Sequence, residues 1–239
     1  MQNPMQAFEP PRTFSFGDIS HPVYTAGKGP PVVVLHELPG MLPECVSLGL
    51  TLAERFRVHM PLLFGEPGVR ASKMEQFRYC ISSEVNAFFG FKTSPLVPWL
   101  RALCRDVKGD APGVGVIGMC FTGGFALAAI ADDAVLGSVV AQPSAPMIHR
   151  SGLGLSPHEQ AAVRARAESL GAGCVLALRY EGDWMSTRKR IDKMRALIGD
   201  GLRYLEFPGK HHATLTVAPH PTALKETIAF LSQRLGAQA

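Results

Sequence analysis

The sequence contains neither of the apolar segments that secretion or membrane insertion would need. Its N-terminus has no long apolar stretch behind basic residues, and no stretch of the chain approaches the roughly 20 apolar residues of a membrane span. We therefore expect no signal peptide and no membrane partner.

Charge is also sparse. Charged residues make up 18% of the 239 residues, and the net charge is only +4. The densest basic stretch, residues 186–195, carries an apolar stripe at helical spacing, so we interpret it as the solvated face of a helix and expect no nucleic-acid partner.

Cysteine is scarce, and its spacing excludes the common paired motifs. The five cysteines are Cys45, Cys80, Cys104, Cys120 and Cys174. None forms a CxxC pair, and an odd number suits reduced thiols better than a disulfide framework. We expect a reducing cytoplasm. The histidines lack metal-ligand spacing, since His211 and His212 are adjacent and point apart, so we expect no metal site.

Short apolar runs alternate along the chain with amphipathic stretches. The predicted strands are 30–37, 57–64, 113–118, 134–142, 173–183 and 202–209. The predicted helices are 43–56, a segment around 72–85, 94–107, 121–132, 158–170, 185–199 and 220–235. This alternation predicts an α/β fold with a mainly parallel sheet and helices on both faces. We expect one domain over residues 1–239, in which residues 1–29 form an N-terminal extension packed on the core.

One glycine motif resembles a dinucleotide site but stands in the wrong place. Gly113, Gly115 and Gly118 match G-x-G-x-x-G. A dinucleotide site needs these glycines in the turn after a strand, with an acidic residue about 20 residues further on. Here they fall inside the predicted strand 113–118. We therefore expect neither a nicotinamide nor a flavin cofactor.

Three predicted strands end in residues that could perform catalysis. Cys120 follows the predicted strand 113–118, Asp183 ends the strand 173–183, and His211 and His212 follow the strand 202–209. The carboxyl ends of parallel strands meet at one edge of a sheet, where active groups collect. The chain order thiol, carboxylate, imidazole is the order of the catalytic triad in α/β-hydrolases.

The residues around Cys120 suit a nucleophile held on a sharp strand-to-helix turn. Gly118 precedes it by two positions, and Gly123 follows shortly after Thr122, which stands where glycine would be the simple expectation. A thiol attacks only as a thiolate, so it needs a base and a positive surrounding such as a helix N-terminus. A histidine would take its proton, and a buried carboxylate would orient that histidine.

The segments that carry these residues resemble the dienelactone hydrolase (carboxymethylenebutenolidase-like) family of the α/β-hydrolase fold. They are HELPG at 36–40, GMCFTGG at 118–124, EGDWM at 181–185 and FPGKHHA at 207–213. The resemblance implies hydrolysis of a small ester or lactone without a cofactor, and a triad of Cys120, His212 and Asp183. It further implies that Glu37 lies against the cysteine and influences its ionisation. The backbone N–H groups of Leu38 and Phe121 would form the oxyanion hole.

Two positions depart from the family. Its enzymes that act on dienelactone have a serine directly after the histidine and an arginine four residues after it, whereas this chain has Ala213 and Thr216. They also hold the substrate carboxylate with an arginine from an earlier segment, and Arg78 stands at a suitable place. We therefore expect hydrolysis of a small ester or lactone, with a modest preference for an anionic group.

Other interpretations of the same residues stay open. Cys120 could be a buried core thiol, and His211 competes with His212 for the role of base. Glu181 competes with Asp183, which could instead cap the next helix. At the level of the whole protein, the alternatives are a non-catalytic ligand-binding protein of the same fold and an acyltransferase.

Overall fold

The computed structural model describes residues 4–69, 94–144 and 152–237. The segment predicted to be helical around 72–85 lies outside the described residues. The predictions for Arg78 and Cys80 lie there with it.

The described residues form one eight-stranded sheet. Its strands are β1 (Arg12–Phe16), β2 (Ile19–Ala26), β3 (Pro31–Leu35), β4 (Arg57–Pro61), β5 (Val114–Met119), β6 (Val135–Ala141), β7 (Val175–Tyr180) and β8 (Leu202–Phe207). Their order across the sheet is β1-β2-β4-β3-β5-β6-β7-β8. The pairs β1–β2 and β2–β4 are antiparallel, and the other pairs are parallel.

Helices cover both faces of this sheet. They are α1 (Pro43–Ala53), α2 (Leu96–Lys108), α3 (Gly123–Ala129), α4 (Pro157–Leu170), α5 (Arg188–Ile198) and α6 (Pro221–Leu235). Alternate residues of β3 enter two separate cores: Val33 packs with α2 to α5, and Val32 and Val34 pack with α1 and α6. All five residues of β3 are buried, because the strand is covered on both sides. The predicted α/β class, a mainly parallel sheet with helices on both faces, is confirmed.

The strands β1 and β2 were not predicted from the sequence. They occupy part of residues 1–29, which we expected to form an extension packed on the core, and they instead form the antiparallel edge of the sheet itself. Four of the five residues of the edge strand β1 are exposed, and β2 contains Pro22 and mixes half-buried with buried residues. Both strands lack the continuous apolar run by which the other strands were found.

The glycine-rich stretch before Cys120 serves close packing. Gly115 and Gly118 lie within β5 rather than in a turn after it. A Cβ atom at Gly115 would lie 2.6 Å from Cδ2 of Leu231, so glycine lets α6 approach the strand.

Candidate active site

Cys120 stands at the tip of a strained turn. β5 ends at Met119, and a single 3-10 turn, Cys120–Thr122, leads into α3. The φ angle of Cys120 is 57°, a left-handed conformation that is uncommon for a residue with a side chain. A Cβ atom at Gly118 would lie 2.3 Å from the carbonyl oxygen of Thr122, so only glycine lets the chain fold back this tightly.

Thr122 replaces the expected glycine because its side chain braces the turn. Its Oγ1 accepts a hydrogen bond from the backbone N–H of Met119 at 2.8 Å. The same oxygen lies 3.3 Å from the carbonyl oxygen of Leu35, at the end of the neighbouring strand β3. The hydroxyl thus ties the elbow to the adjacent strand end.

His212 and Asp183 meet at the next strand ends. Nδ1 of His212 lies 2.7 Å from Oδ2 of Asp183. The other carboxylate oxygen accepts backbone N–H groups of Met185 at 2.9 Å and Ser186 at 3.1 Å. Asp183 is buried, whereas Glu181 is exposed. The structure therefore brings Asp183, and not Glu181, to the histidine, and the same carboxylate also caps the turn that follows it.

A buried arginine holds the loop that carries Asp183. Nε of Arg179 donates to the carbonyl of Ser186 at 2.8 Å, and Nη2 donates to the carbonyls of Glu181 at 2.9 Å and Asp183 at 3.3 Å. Its Nη1 pairs with Glu206 on β8. This arginine was not predicted from the sequence, where it stands inside an apolar strand without a motif.

The surroundings of His212 favour its protonated form. Burial alone would lower the pKa of His212, but the hydrogen bond to Asp183 and the interaction with Cys120 outweigh it and raise the pKa to about 10. Nε2 is buried and has no hydrogen-bond partner among the described residues. The neighbouring His211 is exposed and packs edge-on against Tyr180, with ring centres 5.4 Å apart. Of the two histidines, His212 is the one that meets the carboxylate.

The thiol of Cys120 contacts a residue that carries no sequence motif. Its Sγ lies 2.9 Å from Oγ of Ser144, and the backbone N–H of Ser144 donates to the carbonyl of Cys120 at 3.0 Å. Nη1 of Arg190, on α5, donates to the carbonyl of Ser144 at 3.0 Å. Arg190 is buried, which lowers the pKa of its guanidinium to about 10, although Cys120 acts in the opposite direction.

Glu37 belongs to a buried polar network beside the triad. Its carboxylate is hydrogen-bonded by the hydroxyl of Thr216 and by Nε2 of Gln142, the latter at 3.2 Å. Oε1 of Gln142 accepts the N–H and the hydroxyl of Thr214 at 3.1 and 2.6 Å. Burial raises the pKa of Glu37, while Thr216, His212 and Gln142 counteract that rise. The family resemblance predicts Glu37 against the cysteine; in the structure, its carboxylate bonds to Thr216 and Gln142.

Gln142 marks a second point of backbone strain. Its φ angle is 35°, and it follows the end of β6 just as Cys120 follows the end of the neighbouring strand β5. Cys120 and Gln142 are the two residues other than glycine with positive φ among those described. Strained backbone of this kind clusters at functional sites.

The proposed oxyanion donors lie on adjacent strand ends. β3 and β5 are parallel, and Leu35 is paired with Gly118, so the segments carrying Leu38 and Phe121 leave the sheet side by side. His36 fixes the first of these segments. Its Nε2 accepts the N–H of Leu63 at 3.0 Å, and its Nδ1 lies 3.0 Å from the carbonyl oxygen of Glu37. Burial lowers the pKa of His36 to about 4, which keeps this structural histidine neutral.

Besides Arg179, three residues of this site have no motif in the sequence. They are Gln142, Ser144 and Arg190, which reach it from the end of β6 and from α5. The sequence signal for the first two is their place at the end of the predicted strand 134–142 and two residues past it. Arg190 falls in the stretch 186–195 that we interpreted as a solvated helix face, and for this residue that interpretation is wrong, since it is 2% exposed.

The described part of the chain lacks two other features. No group of three or more histidine, cysteine or acidic side chains there could hold a metal ion. None of the helices in the same residues combines the length and apolar character that crossing a membrane requires.

Comparison with solved structures identifies the fold. A protein from Klebsiella pneumoniae subsp. pneumoniae described as a proposed dienelactone hydrolase matches with a TM-score of 0.62 and 18% identity, over 91% of this chain and 93% of that one. A proposed lipase from Acinetobacter baumannii AYE matches with a TM-score of 0.61 and 13% identity, over 96% and 92%. An E-2-(acetamidomethylene)succinate hydrolase matches with a TM-score of 0.60 and 14% identity, over 94% and 99%.

These similarities show that the chain has the α/β-hydrolase fold, as its motifs predict. A scan against protein-family models and a search of curated proteins each found no match.

Proposed function

We propose that this protein is a hydrolase of small esters or lactones that works through an acyl-cysteine intermediate. Cys120 would be the nucleophile, His212 the acid and base, and Asp183 the residue that orients His212. The observation that carries the proposal is the 2.7 Å contact between Nδ1 of His212 and Oδ2 of Asp183, which leaves the buried Nε2 available next to the elbow of Cys120. The similar solved structures support it, because they include hydrolases of esters and of a succinate derivative.

The first half of the reaction would acylate the enzyme. A thiol attacks as a thiolate, so the proton of Cys120 would pass to His212, whose pKa is raised to about 10 by its hydrogen bond to Asp183 and its interaction with Cys120. Sγ of Cys120 bonds to the substrate carbonyl carbon, and the N–H groups of Leu38 and Phe121 stabilise the oxyanion. The tetrahedral intermediate then expels the alkoxide, which takes the proton from His212.

The second half would release the acid. His212, now neutral, removes a proton from a water molecule, and the hydroxide attacks the acyl carbon. The carbon–sulfur bond breaks, which returns the electron pair to Sγ of Cys120 and leaves His212 protonated again. Asp183 holds the imidazole in the orientation that presents Nε2 to the reaction.

Thr216 is buried and offers no positive charge to a substrate, which supports only a modest preference for anionic substrates. The family's second arginine would stand at this position, but here Thr216 is 5% exposed and its hydroxyl bonds to Glu37. Arg78, which lies outside the described residues, is then the remaining candidate for an anionic substrate group. We expect Arg78→Ala to raise KM for acidic substrates by roughly 10- to 100-fold and to change neutral ones little. An equal effect on both would assign Arg78 a structural role.

A substrate panel tests the proposed reaction directly. Short aryl esters and lactones, each in acidic and neutral forms, would be incubated with the protein and the products identified, with and without a competing alcohol. Acid release that the alcohol does not divert supports a hydrolase. An ester of the added alcohol would indicate an acyltransferase. Saturable binding without any product would indicate a ligand-binding protein of the same fold.

The proposed compartment is a reducing cytoplasm. The four described cysteines, Cys45, Cys104, Cys120 and Cys174, are all free thiols. A nucleophilic thiol also needs such surroundings to stay reduced.

A further inference from the structure

We infer that Ser144 and Arg190 are positioning residues for the nucleophile: the hydroxyl of Ser144 donates to the thiolate of Cys120, and Arg190 fixes Ser144 in the place from which it can do so. This inference rests on the proposed role of Cys120. It adds two residues to the site that neither the chain order nor the family resemblance assigns.

Ser144 is held to Cys120 by two contacts, one from its side chain and one from its backbone. Oγ of Ser144 lies 2.9 Å from Sγ, and the N–H of Ser144 donates to the carbonyl of Cys120 at 3.0 Å. A thiolate has no proton to donate, so in the reactive form Ser144 must be the donor. The backbone bond fixes where the hydroxyl sits relative to the sulfur.

Arg190 holds Ser144 in place. Nη1 of Arg190 donates to the carbonyl of Ser144 at 3.0 Å. Arg190 is 2% exposed, so little water screens its charge, which interacts with Cys120. A buried cation beside a sulfur stabilises the thiolate over the thiol.

The charged groups around the sulfur come from four elements. His212 follows β8, Asp183 follows β7, Arg190 lies on α5, and Glu37 follows β3 and acts on His212. The imidazolium and the guanidinium are the cations of this set. The thiolate therefore has two positive neighbours, and the hydroxyl of Ser144 remains to donate to the sulfur after His212 has given its proton to the leaving group.

The test is the alkylation rate of Cys120 by iodoacetamide at pH 7, followed by mass spectrometry of the peptide that contains it. We expect Ser144→Ala to slow alkylation about 10-fold, because a hydrogen bond to the charged sulfur is lost. Ser144→Thr keeps the hydroxyl and should restore most of the rate. Ser138→Ala is the matched control, since Ser138 is buried in β6 and its hydroxyl has no partner among the described residues.

The arginine is tested in the same assay. Arg190→Gln should slow alkylation, and Arg190→Lys should slow it less, because lysine keeps the charge but not the planar donor group. Arg188→Gln, an exposed position on the same helix, should leave the rate unchanged. If Arg190→Gln fails to fold by circular dichroism, Arg190→Lys decides, and a wild-type rate in that variant would overturn the role of Arg190.

Alkylation needs no turnover, so the two proposals can fail separately. A wild-type or faster rate in folded Ser144→Ala would overturn this inference, even if Cys120 proves essential for ester hydrolysis. A slower rate in a protein that hydrolyses no ester or lactone would support the Ser144 contact and reject the proposed function.

Discussion

Cys120 and Cys174 occupy opposite ends of the parallel strands, and their surroundings differ in kind. Cys120 follows the carboxyl end of β5, is partly exposed, and contacts the hydroxyl of Ser144. Cys174 precedes the amino end of β7 and is fully buried. Its thiol makes long contacts with the carbonyl oxygens of Ala167 at 3.9 Å and Gly201 at 3.7 Å.

The difference shows that position in the sheet, and not residue type, decides what a thiol can do. Burial raises the pKa of Cys174 and keeps its proton in place. At the other end of the sheet, Cys120 interacts with the imidazole of His212 and with the guanidinium of Arg190, and this interaction acts to raise the pKa of each of them. Each prediction below therefore pairs a residue of the site with one of the same type elsewhere, or with its neighbour in sequence.

Replacing each of the two cysteines by alanine should give the largest difference in activity between two variants. Cys120→Ala removes the nucleophile and should lower kcat/KM for an activated aryl ester by about 10⁴- to 10⁶-fold. Cys174→Ala should keep nearly full activity and lose about 1 kcal/mol of unfolding free energy, because it only creates a small cavity. Equal losses of activity in the two variants, or full activity in Cys120→Ala, would contradict the assignment.

The two acidic residues after β7 should differ almost as much. Asp183→Asn leaves the geometry but offers Nδ1 of His212 the wrong partner, and should lower kcat by roughly 10³- to 10⁴-fold. Glu181→Gln alters an exposed side chain and should leave kcat within about twofold. Steady-state kinetics on one ester would compare the two variants. A larger loss of kcat in Glu181→Gln would mean that Glu181, and not Asp183, orients His212.

Two buried threonines can be compared to test whether the hydroxyl of Thr122 stabilises the elbow or is merely buried. Thr122→Val removes the hydroxyl that accepts the N–H of Met119, and should lower the free energy of unfolding by about 1–3 kcal/mol. The hydroxyl of Thr227 on α6 is buried with no partner among the described residues, so Thr227→Val should be neutral or stabilising. Urea unfolding measures both, and equal destabilisation would mean that the hydroxyl of Thr122 does not support the turn.

The pH dependence of stability should distinguish the adjacent histidines. The pKa of His212 is raised from 6.5 to about 10 in the folded protein, so protonation stabilises the fold. That stability is fully present below about pH 6.5 and is lost as the pH rises through about 10. The gap in unfolding free energy between wild type and His212→Gln should narrow over this window. The same gap for the exposed His211→Gln should stay flat, and a flat gap for both would reject the coupling of His212 to Asp183 and Cys120.

The sequence was sufficient to predict what depends on chain order. Continuous apolar runs predicted the parallel strands, and the order of Cys120, Asp183 and His212 at their ends predicted which groups would share one edge of the sheet. The exposed edge strand β1 and its neighbour β2 were not predicted, because their residues lack an apolar run.

The residues that surround the triad could not be predicted in this way, because their positions depend on how neighbouring strands pair and on which face of a helix turns inward. Met119 at the end of β5 is paired with Ala141 at the end of β6, and this pairing sets Gln142 and Ser144 beside the elbow. Arg190 lies in a basic helix whose pattern does not distinguish one inward arginine from its exposed neighbours. Thr216 is similar, because a hydroxyl that bonds a buried Glu37 leaves no spacing or motif in the chain.

The most direct test of the account is to trap the acyl-enzyme. Protein mixed with a slowly hydrolysed ester would be quenched in acid within one turnover and weighed intact, then digested to locate the added mass. The account predicts an acyl group on the peptide that contains Cys120, cleavable by hydroxylamine, and none in Cys120→Ala. An acyl group on any other residue, or turnover in which no acylated protein forms under conditions where deacylation is rate-limiting, would contradict it.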